Sequence, residues 1–196
     1  MRLTQEERRA RTSDKLISTA IELIARRGLA VVTTKQIADE AGVSWGAAQH
    51  LFGNKLGFFK EIGARLLAQM IANVALPAEL PTSRTAAIAQ FTEIVWRSFC
   101  SETYLAWIEF VRGAKSDPPM RAELEKLQDQ YIAHLESVWA ALLPRAPGQP
   151  ENFFLMHHIV LTLSGLASRR IFLHDRIAES EHIDLLIRLT SSEVSR

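Results

Sequence analysis

Apolar residues recur three and four positions apart along almost the whole chain, and no stretch alternates apolar with polar side chains for long enough to build a half-buried strand. That periodicity predicts an all-α protein of about nine helices, with glycines and prolines marking the breaks. A first helix is expected from Thr12 or Ser13 along the stripe Leu16, Ile17, Ala20, Ile21 and Ile24 to Gly28, where the basic Arg26 and Arg27 suit a helix C-terminus. A second, about two turns long, starts at Thr33, since Gln36 three residues later completes a capping box, and stops at Gly42. Ser44 caps a third that runs to about Phe52, and a fourth follows "GNK" and carries Phe58, Phe59, Ile62, Leu66, Leu67 and Met70 to about Asn73. The segment "ALPAELPTSR", with Pro77 and Pro81, interrupts the pattern and is the candidate hinge. Longer helices are expected beyond it, over about 83–100, 103–114, 118–143, 151–173 and 179–195.

A chain of 196 residues buries a core without covalent staples. Its single cysteine, Cys100, makes no intramolecular disulfide and no cysteine zinc cluster, which fits a reducing compartment. The N-terminal "MRLTQEERRARTSDK" is charged throughout and lacks the apolar run of a signal peptide, and no later run approaches the roughly 18 apolar residues of a membrane span. A cytoplasmic, nucleoid-associated protein that does not meet the membrane is expected. The net charge of +1 is unevenly placed: residues 1–60 hold ten Lys or Arg against six Asp or Glu, and the remainder carries the acidic excess. A polyanion would therefore be met at the N-terminal end.

The motif on that basic side is "TTKQIADEAGVSWGAAQHLFGNK". Two short helices joined by a glycine turn, with Ile37, Ala38, Ala41 and Val43 as the inner seam, form a helix-turn-helix. Ala38 is small where one helix lies against another, Gly42 allows the positive φ that turns the chain sharply, and Ser44 caps a helix whose first residues are left free to enter a groove. A major groove about 12 Å wide admits one such helix. A packing-only role for the motif leaves Trp45 beside Gly46, and Lys55 at a turn, without a reason. Just before it, "RLTQEERRAR" is a basic arm in which Arg8, Arg9 and Arg11 are placed for phosphate or minor-groove contact, while Arg2 reads as solvated tail.

These residues resemble the DNA-binding region of TetR/AcrR-type transcriptional regulators: a helix ending at Gly28, then "TTKQIADEAGVS", then "GAAQHLFGNK", over roughly residues 12–60. The resemblance implies an N-terminal three-helix helix-turn-helix DNA-binding domain followed by a larger, divergent helical domain that binds an effector and dimerises. Residues 1–54 are then the arm and DNA-binding domain, 55–76 a linking fourth helix, and 77–196 the effector and dimerisation domain. It also implies that Thr34 and Lys35 meet phosphates or nearby bases, that Ser44, Trp45, Gly46 and Ala47 face the major groove, and that His50 and Lys55 hold the backbone. Gln49 departs from the tyrosine of most relatives; it keeps hydrogen-bonding capacity toward phosphate or adenine with a shorter reach. The function implied is a ligand-responsive, sequence-specific repressor that a small hydrophobic effector releases from a palindromic double-stranded DNA operator. The alternative is a helical small-molecule carrier whose head no longer binds DNA, with Gln49 as its main support.

One helix-turn-helix offers little contact, so such modules read paired half-sites as dimers. The helix "FFLMHHIVLTLSGLASRRIFL" is apolar on more than one face and carries Ser164, Gly165, Ala167 and Ser168, which permit close approach. With the last helix it is expected to build a homodimer interface from Ile159, Leu163, Gly165, Leu166, Ile183, Leu186 and Ile187. Trp96, Phe99, Tyr104, Trp107, Phe110 and Trp139 are the candidate walls of a hydrophobic or aromatic effector's pocket, with a filled aromatic core as the equal alternative. No metal, cofactor or catalytic site is expected: His157 and His158 point about 100° apart on a helix, Ser164 lacks a nucleophile elbow, and Cys100 has no activating neighbour.

Overall fold

The computed structural model describes residues 4–143, 153–172 and 179–192. Among them lie nine helices and no strand: α1 (Gln5–Arg27), α2 (Thr34–Glu40), α3 (Trp45–Phe52), α4 (Lys55–Asn73), α5 (Arg84–Phe99), α6 (Glu102–Ala114), α7 (Pro118–Leu142), α8 (Phe153–Phe172) and α9 (Glu179–Ser192). Residues 1–3, 144–152, 173–178 and 193–196, among them Arg2 and the ends of the helices expected over 151–173 and 179–195, lie outside the described residues.

The helix ends follow local chemistry. Thr33 caps α2 with both halves of its capping box made, and Ser44 and Ser83 cap α3 and α5 through their hydroxyls. The expected start of α1 at Thr12 or Ser13 is too late. Thr4 is the N-cap, its hydroxyl accepting from the Glu7 N–H while the Glu7 carboxylate accepts from the Thr4 N–H, so residues 5–11 of the basic arm form the first two turns of α1. Residues 4–11 are all exposed and carry no apolar stripe, which is why periodicity alone starts the helix late.

The chain forms two compact units. The first comprises residues up to Met70 together with Glu102–Gln130, and the second Ile71–Ser101 together with residues from Tyr131 onward. In the first unit α1 packs on α6, α2 and α3. Leu16, Leu23 and Ile24 of α1, Ile37 of α2 and Phe58, Phe59, Ile62 and Leu66 of α4 are buried there. The Phe59 and Phe110 rings stack with centroids 4.2 Å apart. Gly63 is required by closeness: a Cβ on it would stand 2.6 Å from Leu127 Cδ1 and 3.0 Å from Phe110 Cζ.

In the second unit α5 packs on α8 and α9, and α8 on α9. Phe91, Leu135, Met156, Ile159 and Leu163 are wholly buried, and Phe91 meets Trp139 edge-on at 5.0 Å. The segment around Pro77 and Pro81 is non-helical as expected, and its first residue is fixed by a hydrogen bond between the His134 ring and the Val74 carbonyl at 2.9 Å.

Candidate nucleic-acid interface

The turn between α2 and α3 is built by backbone bonds that the glycine makes available. Gly42 sits at φ 61, its N–H donates to the Asp39 carbonyl, and the Val43 N–H donates to the Ala38 carbonyl at 2.9 Å. This closes α2 in a Schellman motif and redirects the chain within two residues. Ile37, Ala38 and Ala41 are buried beneath the turn, and Val43 is half-buried. Ser44 Oγ then accepts the Ala47 N–H at 3.2 Å, so α3 begins at Trp45 with its first turn capped.

Of the eight residues of α3 only Ala48 is buried. Trp45 keeps 42% of its accessible area, Gly46 has no atom near the position of a Cβ, and Gln49 and His50 are exposed, while Ala47, Leu51 and Phe52 are half-buried and the Phe52 ring stands 4.5 Å from that of Phe58. A Trp this exposed on a capped helix, next to a bare backbone, has its apolar surface available to a partner. Thr34, half-buried, and Lys35, exposed, lie in the first turn of α2. Lys55 opens α4, which Asn54 caps by accepting the Gly57 N–H at 2.9 Å. Its ammonium stands 3.7 Å from Asp117, with 73% of the side chain exposed. A recess of about 270 Å³ is lined by Trp45, Gln49, Phe52 and Phe58, so Gln49 stands at the rim of an apolar hollow. The structure thus brings the predicted DNA-facing residues onto α2, α3 and the start of α4, within one unit.

A further cation joins them. Lys15 Nζ lies 3.8 Å from the position of a Gly42 Cβ, and Arg11 and Lys15, one turn apart on α1, line a groove with Gly42 and Val43. Lys15 was not singled out by the sequence; its i, i+4 spacing from Arg11 on a helix entering the motif is the signal that marks it. Arg8, Arg9 and Arg11 are exposed.

The other predicted sites divide. Phe99 and Trp139 are buried and Trp96 half-buried in the second unit, where the Arg170 guanidinium lies 5.9 Å from the Trp96 ring centroid. Tyr104, Trp107 and Phe110 are buried in the first unit, with Trp107 stacked on Phe110 at 6.1 Å. On α8 and α9, Ile159, Leu163 and Leu186 are buried within the second unit, where they fill its core. Leu166, Ile183 and Ile187 are half-buried, Gly165 is exposed, and the exposed apolar side chains there are Phe154, Leu161, Leu185 and Leu189. His158 is exposed and its carbonyl accepts from Thr162; His157 is half-buried. Cys100 is exposed, yet desolvation raises its thiol above the ordinary value of 9.0 against the lowering effect of Arg170, the opposite of an activated nucleophile.

A capped, exposed helix joined to a second by a tight glycine turn defines a helix-turn-helix, the unit by which many regulators read DNA. Residues 16–62 match the family described as "Bacterial regulatory proteins, tetR family". Over 195 residues, 98% of this chain and 99% of the relative, the sequence is 27% identical to an HTH-type transcriptional regulator of Mycobacterium bovis. The fold resembles a TetR-family transcriptional regulator from Streptomyces coelicolor, with a TM-score of 0.66 at 18% identity over 91% of this chain and 78% of that one. It also resembles NalD of Pseudomonas aeruginosa, the secondary repressor of the MexAB-OprM multidrug efflux pump, with a TM-score of 0.60 at 16% identity over 91% and 95% of the two chains. In sequence over residues 16–62, and in fold over most of its length, the chain resembles TetR-family transcriptional regulators.

Proposed function

We propose that this regulator is a cytoplasmic homodimeric repressor that reads a palindromic operator and leaves it when a small hydrophobic or aromatic effector binds. The observation that carries the DNA reading is α3 itself: a capped helix with one buried residue, an exposed Trp45 and an open backbone at Gly46. Trp45 and Ala47 meet base edges, with Trp45 suited to a thymine methyl, and Ser44, Gly46 and Gln49 line the approach. Thr34, Lys35, His50 and Lys55 take the phosphates, joined by Arg11 and Lys15 on the far side of the turn.

Dimerisation is assigned to the exposed apolar stripe of α8 and α9. Phe154, Leu161 and Gly165 follow one face of α8, and Leu185 and Leu189 one face of α9, with Leu166, Ile183 and Ile187 at the margins. Phe154 and Leu161 leave 83% and 69% of their areas uncovered, which a second copy would bury across a two-fold axis. The effector reading rests on the aromatic side chains of the second unit, Trp96, Phe99 and Trp139, and on the likeness to a repressor of a multidrug efflux pump. Residues 1–54 read DNA in this account and α4 passes on the effector's signal.

A mobility-shift titration with the DNA upstream of the protein's own gene tests the reading. A discrete shift at low salt, reversed by hydrophobic small molecules, is expected. An intact dimer that shifts no fragment would instead favour a helical small-molecule carrier.

A further inference from the structure

The first unit contains a second cavity, of about 620 Å³, within the roughly 300–1,000 Å³ typical of small-molecule sites. It is bounded by the loop after α1, the N-terminus of α2, the start of α4 and the turn between α6 and α7. Leu29 and Val32, both half-buried, give it an apolar wall over the buried Phe59, Ile62 and Met120, and Ala30 is exposed at its lip. The lining carries two cations, Lys55 and Arg112, against one carboxylate, Asp117. Arg112 donates to Glu109 at 2.9 Å, and Lys55 faces Asp117 at 3.7 Å, beyond direct hydrogen-bonding distance.

An apolar wall beside Lys55, whose ammonium is exposed and only loosely paired, discriminates among ligand classes. A hydrophilic anion leaves the wall uncovered, and a neutral apolar molecule leaves the loose ammonium without a closer partner. We propose that this cavity binds a small amphipathic carboxylic acid, with its apolar body against Leu29 and Val32 and its carboxylate at Lys55 and within reach of the remaining donors of Arg112. Such a ligand takes the ammonium that DNA phosphate would otherwise take, so it weakens operator binding from inside the DNA-reading unit. That consequence rests on the role of Lys55 stated above; the binding itself does not.

The test uses the full chain, with decanoate as probe and decanol as its uncharged counterpart, each followed by calorimetry. Decanoate should bind saturably and decanol at least about tenfold more weakly, the ratio that one charge-assisted hydrogen bond carries at the low end. Ala30→Trp should block decanoate from the lip, and Arg112→Gln should weaken decanoate about tenfold without moving decanol. Both positions are surface sites, and unchanged melting curves exclude misfolding. Decanoate bound equally by wild type and both variants, or bound no better than decanol, would overturn the site. Decanoate that binds as expected but leaves operator affinity unchanged would overturn the competition at Lys55 alone.

Discussion

Removing Lys55 gives the sharpest separation between anchoring and reading. Its side chain is 73% exposed and its pairing with Asp117 is loose, so Lys55→Ala should cost under about 1 kcal/mol of stability and leave the melting temperature nearly unchanged. The effect on DNA is larger and of a distinct kind. Each neutralised phosphate adds about 0.9 to the slope of log affinity against log salt. Between about 50 and about 200 mM salt one contact then changes affinity about 3.5-fold, and two contacts, one per subunit, about twelvefold. Fluorescence anisotropy across that range should show Lys55→Ala losing about two from the slope, with the same ranking of operator variants as wild type. Trp45→Ala should leave the slope alone and change the ranking, because an apolar side chain on α3 contacts bases and releases no counterion. Equal slopes in wild type and Lys55→Ala, or a ranking that follows Lys55 and ignores Trp45, would refute this division of roles.

Three further perturbations follow from the same geometry. Ser44→Ala and Ser83→Ala each remove a side-chain cap accepting at 3.2 Å and should each cost about 1 kcal/mol by calorimetry. Only Ser44→Ala should also weaken operator binding, since α3 has eight residues and a single buried side chain to hold it. Leu161→Glu should yield a folded monomer by light scattering, whereas Leu163→Ala, two residues on but wholly buried, should keep the dimer and cost about 2–5 kcal/mol. The Glu123 carboxyl is held below the ordinary value of 4.5 by hydrogen bonds from Lys126 and Lys60. A carboxyl depressed in the folded state adds stability above its unfolded pKa and loses it as the pH falls through the lowered one, so Glu123→Gln should flatten the acid limb of the stability profile.

What could be read from the residues alone was whatever depends on near neighbours. The capping box of Thr33 and Gln36, the Ser44 cap and the Gly42 turn each involve residues within five positions, and all stand where expected. The box of Thr4 and Glu7 is equally local, but its helix turn lacks apolar residues and so went unread. The phase of α8 was not legible, because a helix apolar on more than one face does not reveal which face its neighbours take. Packing against α5 and α9 turns Ile159 and Leu163 inward and leaves Leu161 outward. The aromatic set has the same difficulty: Phe110 stacks on Phe59, some fifty positions away, and Trp139 meets Phe91 across a similar separation. The spacing of Lys15 from Arg11 was legible, but its place beside Gly42 depends on how α1 packs and was not.

Footprinting of the protein on the DNA upstream of its own gene decides whether α3 reads DNA as a pair. The expected result is protection of a palindrome whose half-sites are centred about 34–36 Å apart, or a multiple of that spacing, with the α3 helices of the two subunits in successive major grooves. Protection of a single unpaired half-site, or none at low salt by a folded dimer, would contradict it.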